Sequence, residues 1–203
     1  MIGYPLSAYI ARRPQRLQNV LLVLLFTPLW TSVVIRTYVW VVILQRNGLL
    51  DQVLRDIGLP LLNGRLLNTQ TAVLIGMVQV LIPFGVVPIY VAFRALDPSL
   101  LQAASSLGAD NRHQWTRVII PLTSSGAIAG GLLVFLLALG FYITPAILGG
   151  PRVLMVATLI GEQVREFNLP FAAALSVMLL LGTLAVLLVI QLATIIGKRK
   201  GTQ

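Results

Sequence analysis

Four long apolar stretches dominate the pattern of hydrophobic and polar residues along the chain. They lie near Val20–Leu44, Thr71–Phe93, Gly126–Leu148 and Phe171–Ile196. Each has the roughly 20 residues that a helix needs to cross the hydrocarbon core of a bilayer. None of them alternates apolar and polar residues, as the strands of a membrane barrel do. Because backbone groups in lipid must bond within their own segment, the pattern predicts four membrane-spanning helices.

Two shorter apolar segments accompany these stretches. Residues 1–13 carry an apolar run that ends at Arg12 and Arg13, and ten helical residues reach only about 15 Å, half of a bilayer core. This partial helix either lies on the membrane surface or is the cytoplasmic end of a membrane helix that begins upstream, and we favour the second interpretation. The segment Gly48–Leu59 has its apolar residues at helical spacing, which predicts a short amphipathic helix on the outer surface.

Composition supports a membrane protein. Of the 203 residues, 57% are hydrophobic and 10% are charged, whereas soluble domains carry about 25% charged residues. A soluble core of this size could not hide so much apolar surface. The net charge of +9 does not indicate nucleic acid, because the basic residues flank apolar runs and form no stripe between aromatic residues. The chain has no cysteine, which excludes disulfides and thiolate metal sites.

The distribution of basic residues predicts how the chain is oriented. One set of loops carries nine basic and two acidic residues, namely Arg12, Arg13, Arg16, Arg94, Arg112, Arg117, Lys198, Arg199 and Lys200 with Asp97 and Asp110. The opposite set carries five basic and four acidic residues, namely Arg46, Arg55, Arg65, Arg152 and Arg165 with Asp51, Asp56, Glu162 and Glu166. Since basic loops stay in the cytoplasm, the first set is expected there, together with the C-terminus.

One predicted cytoplasmic loop, residues 97–121, has strong local signals. Asp97 is a good N-cap, and Pro98 suits the first position of a helix. Gly108 lies where a helix end favours a left-handed residue. Asp110 can cap a second helix that runs towards Pro121. The loop is therefore predicted to form two short helices joined by a tight bend.

The first of these helices is predicted to have two faces. Its apolar face would hold Leu100, Leu101, Ala104 and Leu107. Its outer face would hold Gln102, Ala103 and Ser106, which are small or uncharged. Such a projection can enter a groove on another protein without burying an unpaired charge.

The loop resembles a known motif. Gln102-Ala103-Ala104 is followed after three residues by Gly108, and after nine more by Val118-Ile119-Ile120-Pro121. This spacing resembles the EAA loop of the permease subunits of ABC importers, although that family usually has Glu where this chain has Gln102. Similar segments cover essentially the whole chain and resemble the spermidine/putrescine branch: Gly3-Tyr4-Pro5-Leu6, Thr27–Ser32, Arg36-Thr37-Tyr38, Pro83-Phe84, Phe141–Pro145 and Leu148-Gly149-Gly150.

The resemblance implies a fold and a set of docking residues. It implies one all-α, polytopic transmembrane domain over residues 1–203, with the type I permease fold but without the first span and most of the second. In that family the EAA loop docks on a cytoplasmic ATPase. The implied coupling residues are Gln102, Ala103, Ala104, Gly108, Ala109, Asp110 and Pro121.

The resemblance also implies partners and a cargo. The partners would be a cytoplasmic ABC ATPase dimer, an external substrate-binding protein and a second permease subunit, either a different chain, which the branch favours, or a copy of this one. The cargo would be a polyamine or a related small cationic solute, carried across the bacterial inner membrane. ATP would bind the partner, since this chain has no GxxxxGK[ST] motif. Neither a cofactor nor a nucleic acid is expected.

Two other classes of protein fit the sequence less well. A secondary transporter or channel subunit usually carries an intramembrane acid or an inverted repeat, and neither is present in the predicted spans. A membrane enzyme would need a reactive cluster, but the single histidine, His113, lies in the loop. No catalytic residue or metal site is expected.

Candidates for a transport pathway come from unusual residues in or near the spans. Arg36 is the only fully charged residue in a predicted span, and either snorkelling, a structural partner or a pathway role would explain it. Pro83 could line a pathway or only kink its helix, as could Pro88. Near the outer surface the candidates are Tyr142, Glu162 and Glu166.

Two further expectations follow from the composition of the spans. Because they contain no Asp or Glu, we expect the membrane path to bind a cation weakly and an external protein to select it. Four glycines are expected to mediate close helix contacts: Gly130, Gly131, Gly140 and Gly182.

Overall fold

The computed structural model describes residues 2–56 and 66–200, and every regular element in these ranges is a helix. The all-α prediction is therefore confirmed. The helices are α1 (Gly3–Ala11), α2 (Gln15–Phe26), α3 (Val33–Leu44), α4 (Leu49–Asp56), α5 (Gln70–Arg94), α6 (Pro98–Ser106), α7 (Asn111–Gln114), α8 (Ile120–Leu139), α9 (Ile143–Leu148), α10 (Val156–Arg165) and α11 (Leu169–Lys200). Within the described ranges, four segments have the length and composition to cross a membrane: Val33–Leu54, Gln70–Arg94, Asn111–Leu139 and Leu169–Gln191.

The first apolar stretch, predicted as one helix over Val20–Leu44, is divided in two. Helix α2 ends at Phe26, a 3₁₀ turn follows at Thr27–Trp30, and the backbone is extended at Thr31 before α3 begins. Pro28 has no N–H to continue the α-helix. The Thr31 hydroxyl donates to the Pro28 carbonyl over 2.7 Å, which offers that carbonyl a partner outside a helix. Pro28 and the hydrogen bond from Thr31 therefore break the single helix that the apolar pattern predicts.

The third stretch, predicted over Gly126–Leu148, is shifted towards the N-terminus. One helical run extends from Asn111 to Leu139, and Gly140 ends it. The remainder of the predicted segment forms α9, a separate short helix in contact with α3 and α5. The hydroxyls of Thr37 and Thr144 lie 3.2 Å apart across the α3–α9 contact. Apolar content alone could not distinguish one long span from a span followed by a short helix that packs against the bundle.

The other predicted segments keep their positions. Helix α5 begins one residue before the predicted Thr71 and continues through Pro83 and Pro88, so neither proline interrupts it. Helix α11 includes the whole predicted range Phe171–Ile196. Helix α4 covers the described part of Gly48–Leu59, and residues 57–59 lie outside the described ranges. The partial helix at residues 1–13 is α1, which packs along α5.

Helix α5 is the centre of the bundle, and two clusters of buried residues form against it. The Leu148 cluster consists of Leu44, Ala72, Val73, Met77, Leu81 and Leu148. The Phe93 cluster, near the other end of α5, consists of Ala8, Ile89, Phe93 and Ile119. By contrast, α11 is largely exposed along Leu169–Gln191, although Ala172 is buried, and it contacts mainly α10. Its apolar surface is therefore available to lipid or to another chain.

Glycines bring the backbones of α5 and α8 into direct contact. A Cβ on Gly130 would lie 2.7 Å from the Gly85 carbonyl oxygen, and one on Gly126 would lie 2.7 Å from the Pro88 carbonyl oxygen. Small residues four apart allow this close approach of membrane helices. Three other glycines were also expected to mediate close helix contacts, and this expectation was wrong within this chain. A Cβ at Gly131, Gly140 or Gly182 would have no neighbour within 4 Å. Gly131 instead lines an open apolar groove of about 480 Å³.

The α5–α8 contact predicts different effects for two adjacent glycines. We expect Gly130→Leu to lower the free energy of unfolding by about 1–3 kcal/mol, because the side chain would force the two backbones apart. Thermal melting of the purified chain in detergent measures this loss. Gly131→Leu is the matched control, since its side chain enters open space, and equal loss in both variants would contradict the assigned contact.

Candidate functional site

The first helix of the loop, α6, begins at a capped end. The backbone N–H of Ser99 donates to the Asp97 side chain over 2.9 Å. This bond favours the carboxylate and holds the pKa of Asp97 below its usual value. Pro98 occupies the first helical position, where a missing N–H costs nothing. The sequence signals at this end therefore act as predicted.

The bend at Gly108 has the geometry of a helix C-terminus closed by glycine. Gly108 has φ +78°, in the left-handed region. Its N–H donates to the Ser105 carbonyl, and the N–H of Ala109 donates to the Ala104 carbonyl, each over 3.0 Å. This pair of bonds satisfies the last carbonyls of α6. Because a Cβ at Gly108 would meet no atom within 4 Å, the requirement for glycine comes from the backbone angle and not from lack of space.

Asp110 begins the second helix of the loop. It accepts the backbone N–H of His113 over 2.8 Å, and the Nδ1 atom of His113 lies 2.6 Å from the same carboxylate oxygen. The backbone bond is the main cause of the lowered pKa of Asp110. The cap is therefore lost only when the pH falls through that lowered pKa, because protonation then removes the charged acceptor. His113 serves here as a partner of the cap.

The second helix does not end at Pro121, as the sequence suggested. Helix α7 continues through a π-helical turn at Trp115–Ile119 directly into α8. In this turn the N–H of Ile120 donates to the carbonyl of Trp115, five residues earlier. Pro121 follows immediately, and a proline lacks an N–H and crowds the preceding helical turn. The loop therefore contains one free short helix, α6, and a second arm that is the start of a span.

The two predicted faces of α6 are only partly correct. Leu101 packs against the Phe93 cluster, and Gln102 and Ala103 are exposed, as expected. Leu107 is 88% exposed and Leu100 is 46% exposed, in contrast to the prediction. Leu107 lies after the last residue of α6 and no longer follows its period. Leu100 is turned by about 100° from Leu101, beyond the contact with the bundle.

Aromatic residues connect the base of this loop to the bundle. The rings of Phe93 and Trp115 are 6.3 Å apart between centroids, and those of Tyr4 and Phe93 are 5.3 Å apart. The guanidinium carbon of Arg12 lies 4.4 Å from the centroid of the Trp115 ring. Sequence reasoning missed this group because its members come from α1, α5 and the π-helical turn. No local pattern in the sequence marks such distant neighbours.

Arg36, the charged residue within a predicted span, is only 7% exposed. Its Nη1 atom donates to the carbonyl of Pro28, at the break before α3. The Nε atom is buried without a partner among the described residues. Of the interpretations left open by the sequence, the structure supports a structural partner, since the side chain binds a backbone carbonyl at the break before α3.

The remaining pathway candidates do not assemble into one site. Pro83 is buried within α5, on the inside of the bundle. Tyr142 contacts Gly161 so closely that a Cβ there would collide with the ring. Glu162 and Glu166 are exposed, and Glu166 accepts from Gln163 over 3.3 Å. In the described part of the chain, no three acidic or histidine residues are grouped to hold a metal ion.

Comparison with known proteins agrees with this arrangement. The profile of the family described as "Binding-protein-dependent transport system inner membrane component" matches residues 3–199. The chain is 41% identical over 178 residues to the spermidine/putrescine transport system permease protein PotB of Haemophilus influenzae, covering 87% of this chain and 62% of that protein. It is 38% identical over 182 residues to PotB of Escherichia coli, covering 88% and 66%.

The name of a more distant relative also describes a permease. The chain is 28% identical over 186 residues to the inner membrane ABC transporter permease protein YdcU of Escherichia coli, covering 86% of this chain and 59% of that protein. The chain thus spans about two thirds or less of the length of these relatives. A profile that matches almost every residue, together with a helical bundle that carries the expected loop, shows that this chain belongs to the family of binding-protein-dependent transport system inner membrane components.

Proposed function

We propose that this chain is a transmembrane permease subunit of an ATP-driven ABC importer, and that its cargo is spermidine, putrescine or a related small cationic solute. The single observation that carries the proposal is α6 with its capped bend at Gly108, which presents Gln102 and Ala103 away from the bundle. The similarity to permeases named for spermidine and putrescine supports the cargo. The chain has no catalytic role in this proposal, and ATP is hydrolysed by a partner.

The exposed surface of α6 has the chemistry of a docking element. Gln102 can donate and accept hydrogen bonds but carries no charge, so it can be buried at an interface without an ionic partner. Leu107 adds a large apolar side chain at the bend. A groove on a cytoplasmic ATPase would cover both residues and complete α6. The proposed coupling surface therefore consists of Gln102, Ala103, Ala104, Gly108, Ala109 and Asp110, with Pro121 at the start of the adjoining span.

The orientation of the chain follows from its charges. The loop between α5 and α8 and the C-terminal tail carry the larger excess of basic residues, which favours the cytoplasmic side. The end of α10 and the turn that follows it, with Glu162 and Glu166, then face the external medium. A substrate-binding protein would deliver cargo on that side. The exposed apolar surface of α11 supports contact with lipid or a second permease subunit.

Assembly and transport test this proposal directly. We expect the tagged chain to co-purify with a nucleotide-binding subunit, and the complex in liposomes to take up labelled putrescine or spermidine only with ATP and its binding protein. Uptake that needs an ion gradient but no ATP would indicate a secondary transporter and contradict the proposal. Solutes of similar size without amines are the control for cargo class.

The left-handed angle at Gly108 provides a test of the coupling surface. We expect Gly108→Val to reduce uptake at least tenfold while ATP hydrolysis continues, because a branched residue strains the bend and misplaces α6. Gly108→Asn is the matched control, since Asn tolerates φ +78° and should retain most uptake. Uptake and ATP hydrolysis are measured on the same reconstituted complex. Normal uptake by Gly108→Val would exclude this bend as the coupling element.

The absence of acidic residues from the four apolar stretches of the sequence predicts weak binding of cargo. Without the binding protein, we expect the purified permease–ATPase complex to bind labelled spermidine more weakly than micromolar, because a multivalent cation lacks carboxylate partners in the membrane path. Equilibrium dialysis in detergent measures this affinity. Micromolar or tighter binding would contradict selection by an external protein.

A further inference from the structure

Only a few contacts hold the proposed coupling loop to the bundle. Helix α6 is largely exposed and meets the Phe93 cluster mainly through Leu101. The second arm of the loop, α7, continues into α8 only through the π-helical turn at Trp115–Ile119. A π turn inserts an extra residue into the helical ladder and is a recognised position for a hinge or functional site. Displacement of α7 must therefore pass through this turn to reach α8.

Helix α1 and Arg12, which follows its last residue, contact the first residue of the π-helical turn and a residue beyond the turn. At the first residue of the turn, the guanidinium of Arg12 lies over the ring of Trp115, and its carbon atom is 4.4 Å from the ring centroid. Beyond the turn, the hydroxyl of Tyr4 lies 2.6 Å from the Thr123 hydroxyl. The Thr123 hydroxyl in turn donates to the Ile119 carbonyl over 2.7 Å. The two ends of the segment Tyr4–Arg12 thus contact the start of the π-helical turn and the first helical turn of α8 beyond it.

The lengths of the two segments match. Tyr4 and Arg12 are eight positions apart along the chain, as are Trp115 and Thr123. The contact of Tyr4 with Thr123 and the contact of Arg12 with Trp115 therefore lie at opposite ends of two segments with equal numbers of residues. Phe93 fills the space between them, because its ring contacts both Tyr4 and Trp115. Since α1 is also packed along α5, a rigid joint would carry movement of the loop to α5 and α8 together.

We propose that α1 is a brace across the π-helical turn, and that Arg12 and Trp115 are positioning residues that couple the loop to the spans. This role rests on the proposed function, in which an ATPase moves the loop. With the brace in place, the loop, α1 and α8 move as one body. When the contact between Arg12 and Trp115 is lost, the π-helical turn bends, and ATP hydrolysis moves the loop without moving the spans.

The neighbouring arginine offers a matched control. The guanidinium carbon of Arg13 lies 4.3 Å from the centroid of the Tyr9 ring. Tyr9 is four residues earlier, in α1, and it is 49% exposed. Replacing Arg13 therefore removes the same charge and the same kind of cation–π contact, but this contact joins no second element.

The experiment compares variants of the reconstituted importer, consisting of this chain, its partner permease, its ATPase and its binding protein. The measurement is the number of solute molecules taken up per ATP hydrolysed, together with the KM for ATP and the amount of ATPase that co-purifies. We expect Arg12→Met and Trp115→Leu to lower uptake per ATP at least threefold, with the KM and assembly unchanged. Arg12→Lys and Trp115→Phe should restore most of the ratio, and Arg13→Met should match the wild type.

Each outcome supports or overturns the brace. An unchanged ratio in Arg12→Met, or an equal fall in Arg13→Met, would overturn it. If Trp115→Leu fails to assemble, Arg12→Met still decides, because the Arg12 side chain is exposed and its truncation leaves no cavity. If the wild-type complex shows no ATP-dependent uptake, the proposed function itself fails and the brace fails with it. A changed ratio in an active importer therefore concerns the brace alone.

Discussion

The antiparallel contact between α5 and α8 is the constraint on which the rest of the bundle depends. Gly126 and Gly130 bring the α8 backbone against the carbonyls of Pro88 and Gly85. Because the two helices touch through backbone atoms, neither can rotate or slide without losing this fit. The end of α5 at Arg94 and the start of α7 at Asn111 are thereby held on the same side. The bend at Gly108 then projects from a fixed base.

A second constraint is that backbone groups within a membrane must find partners inside the protein. The break before α3 leaves the Pro28 carbonyl without its helical partner, and Arg36 and Thr31 donate to it. This explains a buried arginine in an apolar stretch, Val20–Leu44, that contains no acidic residue. A cation at the C-terminal end of a helical segment also opposes the partial negative charge there. The break is thus stabilised by Thr31 within it and by Arg36 from the helix that follows.

Some features of the proposed coupling site could be predicted from the sequence, and others could not. Its caps at Asp97 and Asp110 and its left-handed glycine could be predicted, because each depends on a few adjacent residues. The π-helical turn, the exposed side of Leu107 and the contact between Arg12 and Trp115 could not. They depend on how α6 leaves the bundle and on which helix lies beside it. The helical spacing of apolar residues predicts which residues share one face of a helix, but it does not predict which other helix packs on that face.

The helical character of the chain, its place in a membrane and the position of its capped loop can be predicted from the sequence. These properties come from composition and from signals within one or two helical turns, which the physical chemistry of the backbone makes local. The breaks between helices and the face that each helix presents depend on contacts between distant residues. Tyr4 and Thr123 are 119 residues apart and yet share a hydrogen bond. Such pairs form because the glycine contact sets how α5 and α8 approach, and that approach depends on three-dimensional fit.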